Sequence, residues 1–98
     1  MKIAEVIGTV TLNRCHPSFD GATLKITLPL SLENLTEGSA PDTADTRVCW
    51  DELGAGIGSK IAVSDGAEAA QPFRPQLKPV DAYVSALLDH IDIVTNDE

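Results

Sequence analysis

The sequence predicts a mainly β fold, a small five-stranded, OB-like β-barrel with one short α-helix. Residues 2–12 and 23–31 alternate with a period of two, which is typical of strands. Residues 80–94 carry apolar side chains on both parities, and no strand–helix–strand repeat occurs in the chain. Five short antiparallel strands with apolar residues on both faces favour a partly open barrel, and a fragment of a β-sandwich is the alternative.

The strands differ in how their faces are expected to be covered. In residues 2–12 one face is apolar and the other is half apolar, so we expect a neighbour to cover the second face. The strand in residues 23–31 should end near Pro29 or lie at a sheet edge there, because proline cannot donate to a ladder. The other three predicted strands are residues 46–50, 60–64 and 80–94.

The segments between strands are predicted from their composition. Residues 31–45 are rich in polar residues and turn formers, which indicates a long surface loop. Residues 66–71 contain three alanines and a glutamate, which favours one or two helical turns. The prolines that follow, Pro72, Pro75 and Pro79, indicate an extended linker.

Length and charge limit the classes of function. The 98 residues predict one domain, residues 1–98, whose own core is small enough to favour an oligomer. The formal net charge of −8 repels phosphate backbones, so we expect no nucleic-acid partner. The first residues lack the apolar run of a signal peptide, no stretch approaches the length of a membrane span, and two cysteines are too few for a disulfide framework. We therefore expect a cytosolic protein with no membrane partner.

Residues that could support catalysis or bind metal are few. Zinc needs about four ligands at recognisable spacing, and the cysteines and histidines form no paired motif: Cys15, His16, Cys49 and His90. We expect Cys49 to be a small core residue. No serine lies in a nucleophile elbow, and no spacing singles out a pair of carboxylates. The sequence therefore predicts neither a metal nor another cofactor, and it argues against an enzyme.

The most informative segment is residues 51–70, in which glycines alternate at positions 54, 56 and 58. Such a backbone needs unusual dihedral angles or the close approach of another backbone. Ser59 stands where a dinucleotide fingerprint would have its third glycine, and a strand rather than a helix follows, so a nucleotide site is disfavoured. A tight turn into the next strand and a contact with another copy of the chain remain as interpretations.

Three blocks occur in a defined order along the chain. They are residues 1–10, residues 51–69 with their Gly-Ala-Gly-x-Gly motif, and residues 79–89, which open with Pro-Val-Asp. Together these blocks resemble the EutN/CcmL family of bacterial microcompartment vertex proteins. Ser59 departs from the pattern, because the family usually has an acid there.

The resemblance implies a five-stranded barrel that assembles as a homopentamer. Such rings cap the fivefold vertices of a microcompartment shell in the bacterial cytoplasm, among hexagonal tiles made by other shell proteins. The implied role is structural, with no bond made or broken. The candidates for subunit contact or for lining a pore are Gly54, Ala55, Gly56, Gly58 and Ser59.

An OB-like module that binds an unknown ligand is the alternative function. Such a binding face needs aromatic and basic side chains. The chain is acidic, and its four aromatic residues are scattered along the sequence: Phe19, Trp50, Phe73 and Tyr83.

Overall fold

Five strands close into a barrel in the order β1–β2–β3–β5–β4, in a computed structural model that describes residues 1–14, 16–19, 21–38, 45–75 and 80–94. The mainly β, OB-like fold is confirmed, the barrel is closed rather than partly open, and the β-sandwich alternative is wrong. In chain order the elements are β1 (Lys2–Val10), a first 3-10 helix (Pro17–Phe19), β2 (Leu24–Pro29), α1 (Leu32–Glu37), β3 (Arg47–Trp50), β4 (Lys60–Asp65), a second 3-10 helix (Gly66–Phe73) and β5 (Ala82–Leu87).

Strand pairing is antiparallel everywhere in the barrel except between β3 and β5. There Trp50 lies opposite Tyr83 in a parallel pair, so the prediction of antiparallel strands throughout is wrong at this seam. The topology requires this exception. Both β1 and β3 run against β2, β4 runs against β1, and β5 runs against β4, so β5 and β3 point the same way.

The inner core of the barrel consists of small and β-branched side chains. Alternate strand residues face inward. Ala55, from the loop between β3 and β4, belongs to the same cluster. Thr27 is also buried inside; its hydroxyl donates to the Arg47 carbonyl at 3.1 Å and lies 3.4 Å from the Cys49 sulfur. Burial raises the pKa of the Cys49 thiol, and the prediction of Cys49 as a core residue is confirmed. The members of the inner core are Ala4, Val6, Cys49, Ala55, Ile61, Val63, Ala82 and Val84.

A second core lies on the other face of β2 and β3. Trp50 neighbours the inward-facing Cys49 along β3 and therefore points to the opposite side, where it packs with Leu24, Ala69 and Val80. All four aromatic residues of the chain meet here. The ring centroids are 6.0 Å apart for Phe19 and Trp50, 4.9 Å for Trp50 and Phe73, and 5.5 Å for Phe73 and Tyr83.

Helix α1 lies within the segment that the polar composition predicted to be a loop, so that prediction is wrong for residues 32–37. Ser31 caps the helix, since its hydroxyl accepts the Asn34 N–H at 3.2 Å and the Asn34 side chain accepts the Ser31 N–H at 2.8 Å. Gly38 ends the helix with a φ of 71°. Residues 39–44 of the predicted loop lie outside the described residues.

Several helices and strands begin or end at residues other than those predicted from the sequence. The helical turns predicted for residues 66–71 are a 3-10 helix that extends through Pro72 to Phe73, so the fold's short α-helix is α1 instead and the predicted linker starts later. The last strand ends at Leu87, and the strand prediction is wrong for residues 88–94. Pro79 lies outside the described residues, whereas β2 ends at Pro29 as predicted.

Candidate functional site

The glycine loop, residues 51–59, connects β3 to β4 and is organised by the carboxylate of Asp51. This side chain is buried, with 2% of the residue exposed. One carboxylate oxygen, Oδ1, accepts the N–H groups of Leu53 at 2.9 Å and Gly54 at 3.2 Å. The other oxygen, Oδ2, accepts the N–H of Ala55 at 2.7 Å. A single buried anion thus fixes three consecutive peptide groups at the start of the loop.

The three glycines of the loop differ in whether the local backbone conformation requires a glycine. Gly54 and Gly58 have φ angles of 79° and 90°, in the left-handed region that L-residues rarely adopt. Gly56 does not, and a β-carbon added there would meet only the Ser59 hydroxyl, at 3.9 Å. The turn interpretation therefore accounts for two of the glycines, and nothing within the single chain requires the third.

The far half of the loop is attached to strand β1. The Gly58 N–H donates to the Val6 carbonyl at 2.8 Å, and the Val6 N–H donates to the Ser59 carbonyl at 3.0 Å. Within the loop, the Ser59 N–H donates to the Gly56 carbonyl at 3.0 Å. These bonds continue the ladder of β1 and β4 beyond the strand itself, so the loop has support at both ends.

The residues predicted from sequence lie together on this loop but differ in accessibility. Gly54, Gly56 and Gly58 are exposed and Ser59 is half-buried. Ala55 has its side chain in the inner core, with 1% of the residue exposed, so only its backbone is available to a neighbour. The role of these residues in subunit contact or in a pore stays a prediction.

Sequence reasoning missed the two large apolar side chains of the glycine loop. Leu53 is 48% exposed and Ile57 is 74% exposed. The available signal was local, since Ile57 stands between two glycines in a turn, where an apolar side chain has no strand or helix to cover it.

Tyr83 and Glu52 connect the glycine loop to β5. The Tyr83 hydroxyl donates to Oε1 of Glu52 at 2.7 Å. This hydrogen bond, together with burial and the nearby carboxylate charges, raises the pKa of Tyr83 to about 12. The neutral phenol is therefore the form that supports the loop.

Alkaline titration should reveal this contact. Because the pKa of Tyr83 is raised above the value of about 10 for an unfolded tyrosine, its contribution to stability is complete below about pH 10 and is lost as the pH rises through the folded value. Tyrosinate absorbance measures this group alone, since Tyr83 is the only tyrosine. Glu52→Gln should move the midpoint down towards about 10. A wild-type midpoint already near the unfolded value would contradict the prediction.

The described residues offer little catalytic chemistry. No three or more of their His, Cys, Asp and Glu side chains are grouped to hold a metal ion, and Cys15 lies outside the described residues. His16 pairs with Ser18 and His90 with Asp92, each at 2.9 Å and exposed to solvent. None of the described helices has the length and hydropathy to span a bilayer.

A groove beside α1 also lacks the features of an active site. It has a volume of about 460 Å³ and lies between α1 and the segment that follows β5. Its charged residues include Glu5 and Lys60, which pair with each other at 4.0 Å on the surface. An exposed pair of this kind contributes little binding energy.

The aromatic residues, expected to be scattered, instead pack against one another in the second core. Stacking on nucleic-acid bases or on a planar ligand requires open ring faces. Trp50 is 5% exposed; it stacks on Phe19 and meets Phe73 in a T-shaped contact, so it presents no such face. The alternative function as an OB-like ligand-binding module is therefore not favoured.

Comparison with known proteins gives a consistent result over nearly the whole chain. The family model described as "Ethanolamine utilisation protein EutN/carboxysome" matches residues 1–89. The microcompartment shell vertex protein GrpN of Rhodospirillum rubrum is 34% identical over 94 residues, which are 96% of this chain and 99% of GrpN. The carboxysome shell vertex protein CcmL of Synechococcus elongatus is 31% identical over 93 residues, which are 95% of this chain and 88% of CcmL.

A solved structure agrees in fold as well as in sequence. The pentameric microcompartment shell protein GrpN from Rhodospirillum rubrum superposes with a TM-score of 0.78 at 33% identity, covering 96% of this chain and all of that one. The residues that the family model matches, 1–89, include the barrel and the glycine loop. The relatives named above are structural shell proteins, in agreement with the prediction that the chain is not an enzyme.

Proposed function

Because the chain belongs to the EutN/CcmL family of bacterial microcompartment shell vertex proteins, we propose that five copies of it form a ring that caps the fivefold vertices of such a shell. The observation that carries the proposal is the full-length similarity to GrpN, whose solved structure is described as pentameric. Residues 1–98 would act as a single vertex domain.

The mechanism is geometric. A closed ring of five uses head-to-tail contacts, so each chain presents two different patches that complement each other. The fivefold ring supplies the curvature that a flat sheet of hexagonal tiles lacks. Its outer rim would dock onto hexagonal shell proteins made by other genes, and the assembly would lie in the shell of a microcompartment in the bacterial cytoplasm. No cofactor, nucleic acid or membrane takes part.

The glycine loop supports this proposal through Gly56. Gly54 and Gly58 are needed for the turn itself, whereas the φ of Gly56 lies outside the left-handed region and a β-carbon added there would meet only the Ser59 hydroxyl, at 3.9 Å. Close approach of a neighbouring copy would explain why position 56 has a glycine rather than a larger residue. The exposed members of the loop, Gly54, Gly56, Gly58 and Ser59, therefore remain our candidates for contact or pore lining, with the backbone of Ala55.

Light scattering coupled to size exclusion tests the proposal. We expect the wild-type chain to elute as one species with five times the 10.4-kDa chain mass. Mixing with a hexagonal shell protein should then give closed particles rather than open sheets. A stable monomer at micromolar concentration contradicts the proposal.

Gly56→Val should disrupt the pentamer, because the added side chain would occupy the space that a neighbouring copy needs. The barrel should stay folded, because a β-carbon at this position meets only the Ser59 hydroxyl, at 3.9 Å, within the single chain. Circular dichroism of the variant is the control for folding. A pentamer that survives this change removes Gly56 from the contact and leaves the ring itself intact.

A further inference from the structure

The tip of the glycine loop, residues 53–59, combines three properties that rarely occur together on a surface. It carries exposed apolar side chains, Leu53 at 48% and Ile57 at 74% exposure. Residues 53–59 contain no charged side chain, in a protein with 22% charged residues. The backbone around the tip is fixed before any partner binds.

The fixed backbone matters because ordering a loop on binding costs conformational entropy. Here Asp51 holds the first half of the loop through three peptide N–H groups. Hydrogen bonds between Val6 and residues 58 and 59 hold the second half. The side chain of Ile57 therefore extends from a rigid support, as a contact residue in a preorganised interface does.

The charges next to the tip are already engaged within the chain. The carboxylate of Glu52 accepts the Tyr83 hydroxyl, and the Lys60 ammonium lies 4.0 Å from Glu5. An approaching surface therefore meets an apolar, uncharged projection. Of the neighbouring charges, Lys60 has an ionic partner in Glu5, whereas the Glu52 carboxylate accepts a hydrogen bond from a neutral phenol and keeps its charge. Desolvating such a tip is favourable, whereas desolvating unpaired charges is not.

We propose that Ile57, together with Leu53 of the same loop, is the apolar contact that joins each subunit to the next in the ring, and that Asp51 is its positioning residue. The inference rests on the proposed pentamer and adds two apolar side chains to the glycine candidates for its contact. The occupant is a second copy of this chain. With a net charge of −8 per chain, copies can approach closely only where no acid faces an acid, and the uncharged tip is such a place.

Two variants of equal charge test the assignment. Ile57→Asp places an anion in the contact, whereas Leu32→Asp places the same anion on the first turn of α1, where Leu32 is 65% exposed. An acid in the first turn of a helix is well tolerated. Mass measurement by light scattering over a dilution series gives the oligomeric state of both variants and of the wild type, and circular dichroism verifies folding.

We expect a pentamer for the wild type and for Leu32→Asp, and a folded monomer for Ile57→Asp. The dissociation constant should rise at least roughly tenfold for each subunit contact that carries the aspartate. Ile57→Ser serves as the measured variant if the aspartate fails to fold. A pentamer that persists in the Ile57 variant overturns the inference and leaves the proposed function standing. Loss of the ring in both aspartate variants also overturns it, since added charge alone would explain the result. A monomeric wild type overturns the proposed function itself.

Discussion

Replacement of Asp51 by alanine is expected to lower the free energy of unfolding by about 2–4 kcal/mol. The carboxylate is buried and accepts three backbone N–H groups at 2.7 to 3.2 Å. After its removal water can reach the partly buried N–H groups of Leu53 and Gly54, but the N–H of Ala55 is buried and loses its only acceptor in the loop. Urea unfolding followed by circular dichroism measures the change.

Asp51→Asn is the matched control for this prediction. Asparagine keeps one oxygen for Leu53 and Gly54, but it turns an NH2 group towards the Ala55 N–H, where aspartate had an acceptor. We therefore expect a smaller loss, about 1–2 kcal/mol. Equal stability of the wild type and both variants would show that the carboxylate does not organise the loop.

Ile61→Ala is expected to lower the free energy of unfolding by about 2–5 kcal/mol. Ile61 has 0% exposure and is the largest fully buried side chain among the described residues; it lies in β4 within the inner core. Shortening it removes apolar contact and leaves a cavity, because the closed barrel limits collapse of the surrounding strands. The free energy of unfolding of a whole domain is roughly 5–15 kcal/mol, so this variant would lose a large part of its stability.

Ile57→Ala is the control for Ile61→Ala, since it removes the same atoms from a side chain that is 74% exposed. In the monomer it should change stability by less than about 0.5 kcal/mol. The comparison is made under conditions where the chain is monomeric, so that subunit contacts do not contribute. Similar losses for the two variants would contradict the assignment of Ile61 to the core.

The period-two pattern was sufficient to predict the barrel but not how its strands connect. Ala4 and Val6 face the inner core as the alternation of residues 2–12 requires. Strand β2 ends at Pro29, as the sequence predicted, although the Leu30 N–H still donates to the Ile3 carbonyl of β1 at 2.9 Å. The parallel pairing of Trp50 with Tyr83 depends on the path of the chain through β4, a non-local property that no local pattern contains.

The errors have local physical causes. Helix α1 depends on the capping exchange between Ser31 and Asn34, which outweighs the polar composition of the segment. The strand prediction for residues 88–94 followed apolar residues that have no partner strand, since β4 is paired with β5 only as far as Leu87. Hydrophobicity alone therefore overestimated the length of the last strand.

Only part of the candidate site could be predicted from the sequence. The glycine spacing located the loop, and positive φ angles at Gly54 and Gly58 explain two of its glycines. The burial of Ala55 and the exposure of Ile57 depend on how Asp51 folds the loop back onto the barrel. Side-chain direction within a turn is set by such tertiary contacts, and composition does not reveal it.

Barrel closure also constrains how copies of this protein can associate and separate. Each of the five described strands already has a neighbour on both sides, so an incoming polypeptide finds no open sheet edge on which to add a strand. Copies must therefore meet through loops and side chains, and a subunit that leaves a ring departs as a complete barrel. Rings of this construction can exchange members without unfolding, and the stacking of strands that begins fibrous aggregation has no starting point.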